Sequence, residues 1–317
     1  MARLQRQRNW LPLPQGEGDF CFMTAGVLRG IADEVRNLAR FSRGRPGFLF
    51  GLGVVALTIF LAVFGPSLAP YGPEDALPGV ANRPPSGDHW MGTDISGMDV
   101  FSRVIAAPRI DLMIALVSTA AAFVGGVLLG VISGFFAGER GIWGRLSGAI
   151  LRGADIFQAF PVFIFALALV GFRGPSIQNV ILALAFLNIP FFLRLTRGAV
   201  LHVRERPFVD AARCVGGSGL RIAFVHVMPN ALTPALANLS PTIGFSILLA
   251  SALSFVGAGV PIPTPEWGSM IAIGAPNMMT GQWWTALFPG LALGLTILGY
   301  ALVGDGFRYY LDPVNRR

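Results

Sequence analysis

The 317-residue chain is 53% hydrophobic and 13% charged, against about a quarter charged in ordinary soluble domains. Its mean hydropathy of +0.62 excludes a water-soluble globule in favour of an integral membrane protein. The net charge is +7 and all 24 basic residues are arginine. Without lysine the chain cannot build a nucleotide-binding P-loop, whose Lys reaches the β- and γ-phosphates, so any ATP work belongs to a partner.

Residues 1–45 read as a polar, basic tail with no apolar core of signal-peptide length. Its first 22 residues are read either as disordered or as untranslated, with Met23 as the alternative start. Residues 46–109 hold the first membrane helix and an outer loop. The first span, Gly47 to Ala69, is 23 uncharged residues, about 35 Å at ~1.5 Å per residue, enough to cross the hydrocarbon core. The loop after it is rich in Pro, Gly and Asp.

Residues 110–304 form the core. Further spans are expected at Ile110 to Phe136, Ala154 to Val170, Ile177 to Leu195, Ala231 to Val256 and Trp284 to Val303. Gly125, Gly126 and Gly130 in span two, and Gly290, Gly294 and Gly299 in span six, permit close helix approach. Residues 305–317 form a second tail. The segments 1–45, 138–152, 194–221 and 308–317 carry 20 of the 24 arginines. By the positive-inside rule both termini and residues 194–221 are cytoplasmic. Trp267, Trp283 and Trp284 then fall where an outer aromatic belt would sit. The expected fold is an all-α membrane protein with six transmembrane helices.

Scattered arginines argue against nucleic-acid binding. Cys21 and Cys214 give no disulfide framework and no metal spacing. His89, His202 and His226 never pair, so neither a metal site nor a catalytic motif is read from the sequence. The span middles carry no charge, which argues against the alternative of an ion-coupled secondary transporter acting without an ATPase. Asp155, Arg194 and Arg197 lie near span ends. Snorkelling, or pairing with the loop that follows span four, accounts for them better than a proton relay.

That loop, residues 204–230, includes FVDAARCVGGSGLRIAFVHVMPN (208–230). Pro207 suits a helix start. Phe208, Ala211, Ala212 and Val215 share an apolar side, and Gly216 ends the helix as a left-handed cap. A second short helix is expected from Leu220 to Val227, ended by Pro229.

The arrangement resembles the coupling loop of ABC-transporter membrane subunits, which reads E-A-A, three residues, Gly, then Pro about thirteen residues later. Here Asp210, Ala211 and Ala212 are followed by Gly216 and Pro229, with Asp in place of Glu. Other blocks are similar to dipeptide and oligopeptide permease subunits. They are GDHWMGTDISGMDVFSRVIAAPRIDL, with Met91 and Met98 replacing the usual Leu and Arg, then LRGADIFQAFPVFIFALAL, LSFVGAGVPIPTPEWGSMI and GDGFRYYLDP. Together they cover roughly residues 40–313 and mark a C-type permease subunit of a peptide/nickel-type importer.

The resemblance implies a type I importer permease fold with a cytoplasmic coupling helix, in a bacterial inner membrane. It implies a homologous second permease subunit, two cytoplasmic ATP-binding subunits that bind ATP-Mg, and a periplasmic or lipid-anchored binding protein. This chain itself is implied to be no enzyme and to hold no cofactor. The coupling contacts implied are Asp210, Ala211, Ala212, Arg213, Gly216 and Pro229. Asp94, Asp99 and Glu266 in the outer loops are candidates for binding-protein contact. The cargo is left open among dipeptides, oligopeptides, nickel chelates and other small solutes.

Overall fold

A computed structural model of the chain describes residues 45–311. The expectations for the tail before residue 45, including the Met23 start, and for residues 312–317 lie outside them. From Phe50 onward the chain forms one compact unit. Among the described residues it is helical, and the one β-bridge pairs Thr93 with Asp99 in the outer loop.

The first span is helix α1 (Pro46–Leu68), with proline at the position where its missing N–H costs nothing. Asp99 caps the short α2 (Val100–Ala106), accepting from the Ser102 N–H. Pro108 then opens the 28-residue α3 (Pro108–Phe135). The expected third span is broken. Helix α4 (Ile142–Gln158) and helix α5 (Val162–Arg173) meet at 86°. The cause is Pro161, which has no N–H to donate back into α4 and biases Phe160 away from helical backbone. α6 (Ile177–Val203) is capped by Ser176 and carries Pro190 internally.

After α6 come α7 (Pro207–Cys214), the single turn α8 (Gly219–Arg221), a π-helical turn (Ile222–Val227), α9 (Met228–Ala231) and α10 (Thr233–Ala237). The expected fifth span is the 17-residue α11 (Leu239–Phe255), preceded by these short pieces rather than one continuous helix. An outer-loop helix, α12 (Trp267–Met278), leads to α13 (Trp284–Leu311). By length and composition four helices can each cross a membrane, and a fifth crossing needs the bent α4–α5 pair to count as one.

A glycine seam holds α3 against α6. A Cβ on Gly126 would lie 2.5 Å from the Phe192 Cβ, one on Gly130 2.7 Å from the Thr196 Cβ, and one on Gly134 2.8 Å from Val200. The three recur every four residues, so they line one helix face and let the two backbones touch. Gly125 lies beside this line, and Gly134 extends it. Of the three glycines expected to do this in α13, Gly299 does: a Cβ there would meet Val54 of α1 at 2.7 Å, whereas Gly290 and Gly294 face open space; Gly304 adds a close approach to Pro241 of α11.

At the outer end the loops are stapled. The buried Arg103 donates to the carbonyls of Pro73 (2.9 Å) and Pro263 (3.0 Å). Trp267 donates to Val104 O and Trp284 to Thr93 O. Two of the three tryptophans expected in an interfacial belt are therefore buried, and Trp283 alone stays exposed. The indole N–H finds a backbone partner inside, which makes burial favourable.

Replacing Gly130 by leucine should force α3 and α6 apart and cost at least ~2 kcal/mol, the upper range of overpacking penalties. Gly294→Ala should leave stability within ~0.5 kcal/mol. Thermal unfolding in detergent, followed by size-exclusion recovery, separates the two outcomes.

Candidate functional site

The segment after α6 forms a knob whose inner side is apolar and whose outer side is open. In α7 only Val209 is fully buried, and Ala212 packs partly against the same cluster. Phe208, Asp210, Ala211 and Val215 face outward, Val215 with 89% of its surface exposed. The apolar side read from the sequence is thus mostly the outward one. Its positions 208, 211 and 215 fall at helical spacing around one free stripe, and Ala212 turns inward from its edge.

The knob is held from below by Ile222, Ala223 and Val227, which pack with Val209 against Val131, Phe135 and Phe136 of the α3 end and Val200 and Val203 of α6. Ile222 and Val227 are five residues apart and both buried, which suits the i→i+5 pitch of a π-helical turn. Pro229 does not end this helix, as the sequence reading had it. It lies in the first turn of α9, where a missing N–H is tolerated.

The turn after α7 is a Schellman closure. The Gly216 N–H donates to Arg213 O (2.9 Å) and the Gly217 N–H to Ala212 O (3.1 Å). Gly216 has φ of 84°, a value that penalises any residue with a Cβ. A Cβ on Gly217 would also stand 2.9 Å from the Ala212 carbonyl oxygen. These two glycines fix where α7 stops and keep its end rigid.

Arg213 donates to Asp210 (3.3 Å), and its guanidinium lies 5.8 Å from the centre of the Phe135 ring. The pair is exposed and of small energetic value. Its use is to hold both charges along the outward edge of α7.

Sequence reasoning missed Arg204. It follows the last turn of α6 and donates through Nη1 to the carbonyls of Gly134 (3.0 Å), Phe135 (3.3 Å) and Ala137 (2.9 Å). Those carbonyls belong to the C-terminal end of α3, where intrahelical donors run out and the helix dipole favours a cation. Arg204 therefore ties the root of the knob to α3. A basic residue at a helix end is a visible signal, but its partners lie some 70 positions earlier and are not. Beside it opens a cleft of about 370 Å³ whose walls include Glu139, Arg204, Asp210 and Arg213.

Asp155 and Arg194 pair with one another at 2.6 Å, bridging α4 to α6 rather than contacting the knob. The three acidic residues expected to meet a partner at the outer surface are turned inward instead. Asp94 accepts from the Ser96 and Met98 N–H groups. Asp99, 2% exposed, accepts from His89, Ser102 N–H and Ser102 O–H. Glu266, 0% exposed, accepts from the N–H groups of Gly268 and Ser269 and from the Ser251 hydroxyl. Each is a turn or N-cap carboxylate satisfying donors that the backbone leaves orphaned.

Comparison with known proteins places this geometry in context. Residues 126–317 match the family described as binding-protein-dependent transport system inner membrane component. Residues 38–85 match the N-terminal TM domain of oligopeptide transport permease C. The dipeptide transport system permease protein of Alkalihalophilus pseudofirmus is 37% identical over 265 residues, covering 84% of this chain and 85% of that protein. The probable D,D-dipeptide transport system permease protein of Escherichia coli K12 is 38% identical, covering 86% of this chain and 89% of that one. A glutathione transport system permease protein of Pectobacterium atrosepticum is 36% identical, with 86% and 89% covered. Among solved structures, an inward-facing conformation of the MetNI methionine ABC transporter shares the fold, with a TM-score of 0.55 at 19% identity over 66% of this chain and 96% of that one.

Arg204→Met should leave three α3-end carbonyls without their charged donor and cost about 2 kcal/mol. Arg204→Lys should recover only part, because an ammonium cannot span the three acceptors as a planar guanidinium does. Amide exchange across residues 134–137 and 204–217 is the readout, and both variants should exchange faster than the parent.

Proposed function

The chain belongs to the family of binding-protein-dependent transport system inner membrane components, and on that premise we propose that it forms half of the pore of an ATP-driven importer of short peptides. It is a multi-pass inner-membrane permease subunit. The peptide cargo is inferred from relatives that transport dipeptides, D,D-dipeptides and glutathione. ATP-Mg is bound and hydrolysed by separate partner subunits, a second homologous permease completes the pore, and a binding protein delivers cargo from outside.

The single observation that carries the mechanism is the knob's construction. Phe208, Ala211 and Val215 are free on a short helix whose other side is locked to α3 and α6. An apolar stripe bordered by Asp210 and Arg213 fits a groove on a partner, read as helix-in-groove recognition. When that groove moves, the Schellman turn and the Arg204 ties pass the displacement to α3 instead of absorbing it. The small Ala211 permits close approach. Gly216 acts by fixing the turn, and Pro229 by starting α9. The termini and the knob lie on the cytoplasmic side, supported by the 20 arginines on that side. Since Asp94 is spent in a turn and Asp99 and Glu266 as caps, the binding protein meets exposed apolar groups of the same outer face such as Trp90 and Ile95.

The test is reconstitution of the permease pair with its ATPases and binding protein in liposomes. Labelled dipeptide should accumulate with ATP and not without it. Uptake sustained in vesicles that lack the ATPases would instead identify a secondary transporter. Ala211→Trp should insert normally yet lose ATPase co-purification and uptake, since a blocked central contact costs ~2 kcal/mol or more. Unchanged uptake by that variant would rule out the groove contact.

A further inference from the structure

A second cavity, of about 320 Å³, lies away from the knob, where the α4–α5 bend faces α6, α11 and α13. Its volume is at the lower end of ligand-sized sites. Val162, Phe191 and Phe245 give it apolar walls, and Gln158 and Asn188 add two primary amides. Asn188 is buried and donates to Leu184 O and to the Ser246 hydroxyl. Both of these bonds use its Nδ2, and its Oδ1 is not among the buried side-chain atoms left without a partner. An amide oxygen open to a cavity can accept a hydrogen bond from a bound molecule.

One end of the cavity carries a cation. The Arg308 guanidinium is bonded to Asn238 Oδ1 and stands 3.7 Å from the exposed Asp305 carboxylate. Asn238 is itself fixed through Nδ2 to Pro234 O (2.8 Å). The guanidinium is thus oriented by a neutral amide, and its one ion pair among the described residues is long and solvent-exposed, so that pair holds it weakly. An anion can therefore take up the guanidinium's remaining donors.

Apolar walls, amides that pair with peptide bonds and a steered guanidinium at one end match one chemical class, a short peptide with a free C-terminal carboxylate. We propose that this cavity is a transit subsite for such a peptide on this chain. The amides of Asn188 and Gln158 face the peptide backbone, and Arg308 takes the carboxylate, a charge-assisted contact that can become bidentate. The inference rests on the peptide-importer reading.

The experiment uses the full transporter complex in nanodiscs, without nucleotide or binding protein, with Cys21 and Cys214 replaced by serine. Phe245→Cys provides a thiol in the wall, and maleimide labelling is timed. A dipeptide at millimolar concentration should slow labelling about threefold, and its C-terminally amidated analogue clearly less, the difference being the charge-assisted contact. Arg308→Gln should abolish the difference between the two peptides, Arg308→Lys should retain it, and Asn188→Leu should weaken protection by both. Equal protection by the free acid and the amide, no protection at all, or an unaltered difference in Arg308→Gln would each overturn the subsite. ATP-driven uptake by the unaltered complex is measured in parallel. If uptake is present while protection fails, the cavity assignment falls and the importer reading stands. If uptake is absent, the importer reading falls on its own measurement.

Discussion

The contact on which the rest depends is the backbone-to-backbone seam between α3 and α6. In a lipid environment water does not drive helices together, so close packing of small residues does the work. Gly126, Gly130 and Gly134 remove the side chains that would hold the helices apart, and Phe192, Thr196 and Val200 fill the space. α6 ends at the knob and α3 ends against it. Because those two helices cannot slide independently, the knob sits on a paired strut. The Arg204 ties extend the same union past the last glycine, from side-chain packing into hydrogen bonds with free carbonyls. A load on α7 therefore reaches two long helices together.

The outer end is built on a different principle. Here the chain is irregular, and irregular backbone has many donors and acceptors to satisfy. Several polar residues of this end are used in that task, while Glu74, Asp75 and Asp88 stay exposed. Asp99 caps α2, Glu266 caps α12, and Arg103 gathers carbonyls from both outer loops. What remains at the surface is partly apolar, as with Trp90, Ile95 and Trp283. The knob shows the same division of labour: its charged pair lies at the edge, and the residues free to meet a partner are small or apolar.

Much of this was legible in the residues. Runs of apolar sequence placed α1, α3, α6 and α13 to within a few positions at most ends, because burial in lipid demands length and apolarity and both are local. α6 and α13 each run eight residues beyond their expected ends at Leu195 and Val303, because helix continues past the apolar stretch, and α13 thereby takes in residues 305–311 that were read as tail. The knob's glycine closure was readable because a left-handed cap has a nearly unique residue. The third span was not, since Pro161 lies inside an otherwise continuous apolar run and composition is blind to an 86° turn. Acidic residues in loops look like surface until their cap positions are known. Asp99 just ahead of VFS and Glu266 just ahead of WGS carried that local signal. Burial of Trp267 and Trp284 depended on carbonyls of Val104 and Thr93, more than 160 positions away, and no local pattern encodes such a pairing.

The break at Pro161 has a mechanical corollary. Helical bonding in α4 closes with the Ala159 N–H, and it resumes in α5 when the Phe165 N–H reaches the Pro161 carbonyl. Reorienting one helix against the other therefore sacrifices no rung of either ladder; it turns only the torsions of a three-residue joint. A continuous helix would have to fracture to make the same excursion. The chain has in effect prepaid the articulation, and the chamber bordered by Gln158 and Val162 can widen or narrow by rotation at that joint alone.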